Sequence, residues 1–338
     1  MTIFALTLTG CMEDTDSGAY DRAVAALEAD DYDTALAEFR TAADTDKRVT
    51  ESYRGQGIVY YEKGDYETAL SFFELSLSNM KYKNEEFTED VLFYEAECLK
   101  EMGDTDKAKE IYEQLTEGSS PAQAYVLLGA LCCSDGDETG AEDAFNNAIS
   151  MEDAGYETYI MIYDALKDVH READGAEYLE KALDLTPSTE EDYVLLGRIC
   201  YYLEDYDKAR DALSTAIDMG SIDALALQGA ICLETGDIPE AKALYLDALN
   251  AGADEALCFN GLALCMAELG DFADALSYIN QGLEANDSGM RRDLLFNRMV
   301  IYEKMNDYTS AKAEAEELLA LYPNDEEIKN EYKFLAHA

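Results

Sequence analysis

The chain has 338 residues, and 73 Asp and Glu against 25 Lys and Arg give it a formal net charge of −48. Proteins hold nucleic-acid phosphates with clustered Lys and Arg, so this charge excludes nucleic acid as an ordinary partner. Strong acidity often accompanies disorder, but 48% hydrophobic residues, with 24 Tyr and 11 Phe, can bury a large core. Acidic residues outnumber basic ones in every successive block of fifty residues. The composition therefore indicates a folded, very acidic protein whose charge is spread along the chain.

The chain begins with a short apolar stretch that ends at a cysteine. Residues 3–8 read Ile-Phe-Ala-Leu-Thr-Leu, and Leu8-Thr9-Gly10-Cys11 resembles the cleavage box of bacterial lipoproteins. Residues 12–18 are mostly polar, as a spacer before a tethered domain would be. The resemblance implies a residual lipoprotein signal over 1–11, a lipid on Cys11, and a protein held on the outer face of a bacterial cytoplasmic membrane.

An alternative to the lipid anchor remains open. A secretory signal has a basic start and 7–15 apolar residues, whereas no Lys or Arg precedes Cys11 and the apolar stretch is at the short limit. Either Met1 is a late start within a longer signal, or the match is accidental and the protein is cytoplasmic. No other segment approaches the ~20 continuous apolar residues of a spanning helix. The sequence therefore predicts membrane contact only through a lipid at Cys11.

From residue 19 onward one phrase recurs along the chain. Gly64-Asp65 is followed by Ala69 and then by Phe73, each four residues after the one before. The small residue of this phrase returns at intervals of 32 to 39 residues, at Ala35, Ala69, Ala108, Ala141, Gly175, Ala209, Ala241, Ala275 and Ala311. The Asp is present in eight of these nine units, as Asp31, Asp65, Asp104, Asp137, Asp205, Asp237, Asp271 and Asp307.

A second pattern lies upstream of each phrase, as in Tyr53, Gly57 and Tyr60. Together the two patterns resemble the tetratricopeptide repeat, a unit of about 34 residues that forms two helices. The resemblance covers nine units over about 19–323, followed by a predicted terminal helix at 325–336. It implies an all-α fold over 19–338, a right-handed superhelical solenoid of antiparallel helix pairs, in which the first helix of each pair lines a concave groove.

The residues of the phrase have physical roles in such a pair. Gly ends the first helix because its backbone is permissive, and Asp accepts the free amides at the start of the second helix. Small residues such as Gly57 are expected to face the sister helix. Four aromatic side chains are expected to fill the space between neighbouring units: Phe39, Phe73, Phe145 and Tyr245.

Two units depart from the repeat. The 39-residue interval inserts about five residues around 81–84, which read Lys-Tyr-Lys-Asn and are locally basic. This insertion is either a longer connector or an extra helical turn. The fifth unit has Arg171 in place of Asp, Gly175 in place of Ala, and no Gly at the turn. It is either a softer joint between two halves of the array or simply a degenerate unit.

The sequence offers little for catalysis. Seven cysteines besides Cys11 fall in predicted first helices, where they are expected to be buried packing residues, and no Cys-x2-Cys pair suggests zinc. His170 and His337 are the two histidines, the first in the irregular unit and the second near the end of the sequence. Gly-rich phosphate loops are absent. We expect a non-enzymatic protein with no cofactor and no metal.

The resemblance also places groove-facing side chains at the second, fifth, ninth and twelfth positions of each unit. Such a mixture of apolar, aromatic and charged groups favours a protein or peptide partner, basic or amphipathic in character. The predicted partner-binding residues are Arg54, Tyr61, Phe93, Val126, Ile160, Arg198, Tyr201, Asn260 and Phe296.

Overall fold

The structure, a computed structural model, describes residues 18–29, 31–45, 48–285, 289–323 and 325–336. The predicted lipidation residue Cys11 lies outside these residues, as do His337 and nearly all of the predicted spacer. In the described part of the chain the regular structure is entirely α-helical, as predicted. None of these helices combines the length and apolar character needed to cross a membrane.

The described helices form two compact units, one ending at Leu185 and the other beginning at Thr186. The N-terminal unit contains α1 (Gly18–Glu28), α2 (Tyr32–Asp44), α3 (Val49–Glu62), α4 (Tyr66–Ser78), α5 (Glu85–Glu101), α6 (Thr105–Leu115), α7 (Pro121–Asp135), α8 (Glu138–Ala148), α9 (Tyr156–Asp168) and α10 (Glu172–Ala182). The C-terminal unit contains α11 (Glu190–Tyr202), α12 (Tyr206–Met219), α13 (Asp223–Glu234), α14 (Ile238–Ala251), α15 (Glu255–Glu268), α16 (Phe272–Glu284), α17 (Arg291–Lys304), α18 (Tyr308–Leu321) and α19 (Glu326–Leu335).

Helices pack in consecutive pairs, α1 with α2 through α17 with α18, and α19 packs on α18. The buried core of a pair also includes the first helix of the next pair. Phe73 of α4, for example, is buried with Ile58 of α3 and Val91 of α5. In the C-terminal unit Leu213 of α12 is buried with residues of α11 and α13 in the same way. Neighbouring pairs must therefore stack to bury their apolar faces.

The turns inside the pairs whose turn residues are all described follow one geometry. Gly64 adopts a left-handed backbone with φ of 72°, and the amide of Asp65 donates to the carbonyl of Tyr60 at 2.9 Å, which closes α3. The Asp65 carboxylate then accepts from the amide of Thr68 at 3.3 Å, which opens α4. Seven of the eight predicted Asp residues cap their helix in this way: Asp31, Asp65, Asp137, Asp205, Asp237, Asp271 and Asp307.

Asp104 is the exception among the predicted caps. It stands at the N-cap of α6, but its side chain accepts no capping hydrogen bond there. Its carboxylate instead forms an ion pair with Lys107. Asp205 pairs with Lys208 at the same spacing and still caps α12, so the ion pair alone does not account for the missing cap at Asp104.

Among the described turn residues, three that are not glycine adopt the same conformation. His170, Glu204 and Asn306 have φ of 60°, 58° and 60° at the position that Gly64 occupies in α3–α4. In the fifth pair the amide of Arg171 still donates to the carbonyl of Leu166, at 2.8 Å. The fifth unit therefore keeps the turn of its neighbours even though its sequence departs from theirs. The boundary between the two compact units falls after its second helix, α10.

The insertion near residue 81 lengthens both a helix and the connector before it. α5 spans 17 residues, whereas α3 spans 14. Asn84 caps α5 by accepting from the amide of Phe87 at 3.2 Å. α5 therefore begins about one turn early, and the connector 79–84 before it is longer than 220–222 or 252–254, so the insertion adds to both the helix and the connector.

Close approach of the paired helices depends on small residues in the first helix, as predicted. A Cβ added to Gly57 would lie 2.5 Å from Cε1 of Phe73, and one added to Gly197 would lie 2.6 Å from Cγ of Leu213. At Gly229 the fit is looser, with Cε2 of Tyr245 at 3.2 Å. These side chains are buried, so an added methyl group has little room to be accommodated.

We expect Gly57→Ala to destabilise the N-terminal unit by about 1–3 kcal/mol, because the new methyl group forces the buried Phe73 ring out of its position. Gly229→Ala is the matched control at the same repeat position and should cost less. Thermal and denaturant unfolding of the three proteins measure the difference. Equal effects of the two substitutions would contradict the close contact between Gly57 and Phe73.

We expect Glu204→Gly to stabilise the protein by about 1 kcal/mol, because glycine adopts positive φ without the steric cost that Glu204 carries. Asn306→Gly is the control and should gain less, since Asn tolerates this conformation better than Glu does. Unfolding midpoints measure both. A loss of stability in Glu204→Gly would show that its side chain stabilises the turn.

Candidate partner-binding surface

The described residues offer no site for metal or thiol chemistry. No group of three or more His, Cys, Asp or Glu in this part of the chain is arranged to hold a metal ion. The seven described cysteines lie in first helices as predicted, six of them buried and Cys133 half-buried. Burial raises the pKa of the Cys258 and Cys265 thiols to about 11, which keeps them protonated near neutral pH. His170 is exposed at its turn.

Arg54, predicted to face a partner, is already engaged within the N-terminal unit. Its side chain is 7% exposed. Its Nη2 donates to Oδ1 of Asp90 at 2.7 Å, its Nε donates to the other carboxylate oxygen, and its guanidinium lies over the ring of Tyr94. The pair joins α3 to α5. Arg54 therefore holds two neighbouring repeats together, a role that its repeat position did not indicate.

Further along the same face, polar side chains again form hydrogen bonds with one another. Glu97 of α5 accepts from Lys100 and from the hydroxyl of Tyr112. Tyr61 is half-buried, with its ring 5.6 Å from that of Tyr66 and 5.8 Å from that of Tyr94. Burial, with Glu97 nearby, raises the pKa of Tyr61. Much of the charge on this face is thus paired within the protein.

Two more predicted residues of the N-terminal unit are buried. Val126 is 2% exposed and Ile160 is 3% exposed, so both side chains pack inside the array. Phe93 is half-buried and packs against the core around α5, α6 and α7. The repeat position alone assigns these residues to the groove and does not include contacts with the next first helix. Such a contact exists here, because α9 packs directly against α7.

In the C-terminal unit the first helices form a continuous row. α13 packs against both α11 and α15, and α15 packs against α17. Asn260 of α15 accepts from the side-chain amide of Asn297 of α17 at 2.8 Å. Lys304 of α17 pairs with Glu268 of α15 at 2.6 Å. The four helices therefore present one surface, on which Asn260 is tied to its neighbour.

Apolar side chains run across this surface at the second, fifth, ninth and twelfth repeat positions. Leu257 is 40% exposed and the others are half-buried. We call this set the apolar strip: Val194, Tyr201, Ala230, Leu233, Leu257, Leu264, Phe296 and Val300. The apolar strip includes two predicted residues, Tyr201 and Phe296. A third predicted residue, Arg198, lies between the two strip residues of α11 and donates to the Tyr202 hydroxyl at 3.0 Å.

Exposed carboxylates flank the apolar strip on both edges. Near the starts of the four helices lie Glu191, Asp223, Glu255 and Asp293, and near the ends of three of them lie Glu204, Glu234 and Glu268. Arg292 pairs with Asp293 and Lys304 with Glu268, so these cations neutralise part of each edge. The surface is thus mainly apolar along its middle, with Arg198 and Asn260 as the polar exceptions among the described groove positions, and acidic along its two edges.

Sequence reasoning found part of this surface and missed part. Arg198, Tyr201, Asn260 and Phe296 lie on it, and their role in binding a partner stays a prediction. Ala230 and Leu233 of the seventh repeat were missed, although Gly229 gives the register that places them at the ninth and twelfth positions. No local signal pairs Arg54 with Asp90, because the two residues are 36 positions apart.

Comparison with known proteins finds similar chains of known name. A curated relative, the BBSome complex member BBS4 homolog of Drosophila melanogaster, is 22% identical over 280 residues, which cover 82% of this chain and 52% of the relative. The chain therefore spans about half the length of that relative.

Solved structures with similar folds are 16–17% identical to this chain. The Cut9–Hcn1 hetero-tetramer of the APC/C matches with a TM-score of 0.45 and covers 95% of this chain and 64% of that chain. A tetratricopeptide repeat protein of Parabacteroides merdae matches with a TM-score of 0.41, covering 74% of this chain and 98% of that one. PilF of Pseudomonas aeruginosa matches with a TM-score of 0.40, over 64% and 97% of the respective chains.

Two family models, both described as tetratricopeptide repeat, match the sequence itself. One matches residues 20–79, 194–256 and 228–291, and the other matches 90–117 and 293–325. Together these ranges cover more than half of the chain, and the described helices pair as the repeat requires. The chain belongs to the tetratricopeptide repeat family, whose arrays are scaffolds for protein–protein interaction.

Proposed function

We propose that this protein is a non-enzymatic scaffold whose C-terminal unit binds a basic, amphipathic helix of another protein along the apolar strip. The observation that carries this proposal is the combination of an apolar middle with two acidic edges on one row of first helices. The Drosophila relative is a member of a protein complex, which agrees with a partner-binding role.

The apolar strip supports a helical partner of defined pattern. A helix with apolar residues at i, i+3, i+4 and i+7 presents a stripe that can lie in a groove of apolar side chains. Leu257 stands out from the surface at 40% exposure, and so offers contact area that its own repeat does not use. Burying it would contribute to binding through removal of apolar surface from water.

The acidic edges support a partner with cations on both sides of its apolar stripe. Lys or Arg on each flank of the helix would meet carboxylates such as Glu191 and Asp223 on one edge, and Glu204 and Glu234 on the other. Such complementarity speeds encounter and sets orientation more than it raises affinity. In the N-terminal unit the equivalent face carries ion pairs such as Arg54–Asp90, which leaves less charge for a partner.

The binding proposal can be tested with a labelled peptide of about 18 residues, made of Leu in a helical stripe and Lys on both flanks, using fluorescence anisotropy. We expect saturable binding that weakens as salt is raised. Leu257→Lys should weaken it at least about tenfold, which corresponds to ~1.4 kcal/mol, because the change removes apolar contact and repels the partner's cations.

Leu269→Lys is the matched control, because Leu269 is 59% exposed at the turn that ends α15 and lies outside the apolar strip. It makes the same change in charge and should leave binding within about twofold. A scrambled peptide of the same composition should bind more weakly than the patterned one. Equal binding of both peptides, or equal effects of the two substitutions, would contradict the proposed surface.

We propose in addition that a lipid on Cys11 holds the protein at the outer face of a bacterial cytoplasmic membrane. Support comes from the Leu8-Thr9-Gly10-Cys11 sequence and the polar residues that follow it. The bilayer would hold the protein through acyl chains, and two or more are needed for stable attachment.

We expect Cys11→Ala to move the protein from the membrane fraction to the soluble fraction of bacterial cells that express it, because the thiol is the lipid attachment point. Fractionation followed by immunoblotting measures the shift. Cys133→Ala, which removes a half-buried thiol, is the control and should leave partitioning unchanged. Wild-type protein found in the soluble fraction would instead favour a cytoplasmic adaptor.

A further inference from the structure

The last helix, α19, meets α17 through two acidic side chains. Glu303, near the end of α17, is half-buried, and its Oε1 is fully buried without a hydrogen-bond partner. The carboxyl group of Glu331 on α19 lies beside it, within reach of a hydrogen bond between the two side chains. Two carboxylates cannot donate to each other, so this hydrogen bond requires a proton on one of them.

The surrounding charges do not replace that proton. On α17 itself, Lys304 is paired with Glu268 of α15, and Arg298 is held by Glu314 of α18. α16 contributes a neutral group near this helix, the side-chain amide of Asn280, which accepts from Arg298 at 3.3 Å.

The other charged groups of α19 lie before and after Glu331. Glu327 binds Arg292 at 2.6 Å, and Lys333 donates to Asn330 at 3.3 Å. Lys329 also takes part in an interaction. Glu331 is the charged group that acts on the pKa of Glu303, and its charge has the same sign.

We propose that a proton shared between Glu303 and Glu331 holds α19 against the array, and that loss of this proton as the pH rises releases the helix. When Glu303 ionises, the proton that joins it to Glu331 is lost, and a half-buried carboxylate, one oxygen of which already lacks a partner, faces a second negative charge. Both effects weaken the contact between α17 and α19, whereas the packing of α18 against α17 stays intact.

Release of α19 would uncover a second apolar surface. Ile328 and Leu335 of α19 are buried against a cluster that includes Leu295, Met299 and Leu318. These three residues are at most 1% exposed while α19 is in place. They belong to the last helix pair, which also carries Phe296 and Val300 of the apolar strip. The proton would therefore control how much apolar surface the end of the C-terminal unit presents.

The direction of the pH effect follows from the same contacts. Burial, with Glu331 nearby, raises the pKa of Glu303 to about 7 in the docked state. A released Glu303 would titrate near its ordinary pKa, about 4.3. Between these values the docked state holds more protons than the released state, so docking weakens as the pH rises through this window and is weakest above about 7.

Hydrogen exchange of the whole chain, measured by mass spectrometry, tests the proposal at pH 5.5 and pH 8. After correction for the chemical exchange rate, we expect the amides of α19 to exchange at least about tenfold faster at pH 8. Glu303→Gln should make α19 equally protected at both values, because Gln keeps a donor toward Glu331 and cannot ionise. Glu331→Gln should reduce the ratio by removing the facing charge.

Glu316→Gln, an exposed change on α18, is the matched control and should keep the full pH dependence. Unchanged protection of α15 in every variant would show that the array remains folded. Equal protection of α19 at both pH values in the wild-type chain would overturn the proposal. A tenfold difference that persists in Glu303→Gln would overturn it as well, and would assign the effect to other groups.

Discussion

The structure depends on one constraint: the apolar side chains of a second helix are buried between two first helices, one from its own pair and one from the next. A second helix such as α4 has its core residue Phe73 covered by α3 on one side and by α5 on the other. Neither helix of a pair could bury its apolar residues in isolation, so the stability of each pair depends on the next pair along the chain. The second helix α18 is covered in the same way, by α17 on one side and by α19 on the other.

The sequence predicted best what is local. The turn in each pair depends on two adjacent residues, and their chemistry predicted both the helix end and the next helix start, as at Gly64 and Asp65. It could not predict that Asp104 would pair with Lys107 and accept no capping hydrogen bond, whereas Asp205 pairs with Lys208 and still caps α12. Nor could it predict that His170 would adopt the backbone conformation of glycine.

The candidate surface was harder to predict because it depends on distant residues. Position within the repeat says which way a side chain points, but exposure depends on the next first helix. Arg54 and Val126 occupy the same repeat position as Phe296, yet both are buried and Phe296 is half-exposed. Charge behaves similarly: Asp90 neutralises Arg54, whereas Glu191 and Glu234 remain exposed to solvent. The difference between the two units arises from these pairings, which are set by contacts more than thirty residues apart in sequence.

The turn has a mechanical consequence. One residue, Asp65, closes α3 with its backbone amide and opens α4 with its carboxylate. A pulling force that unwinds either helix therefore also removes the cap of the other, which favours the loss of both together. Stretching such an array would then lengthen the chain in steps of one pair, roughly 110 Å for a unit of about 34 residues. The repeat would thus be the unit of extension as well as the unit of folding.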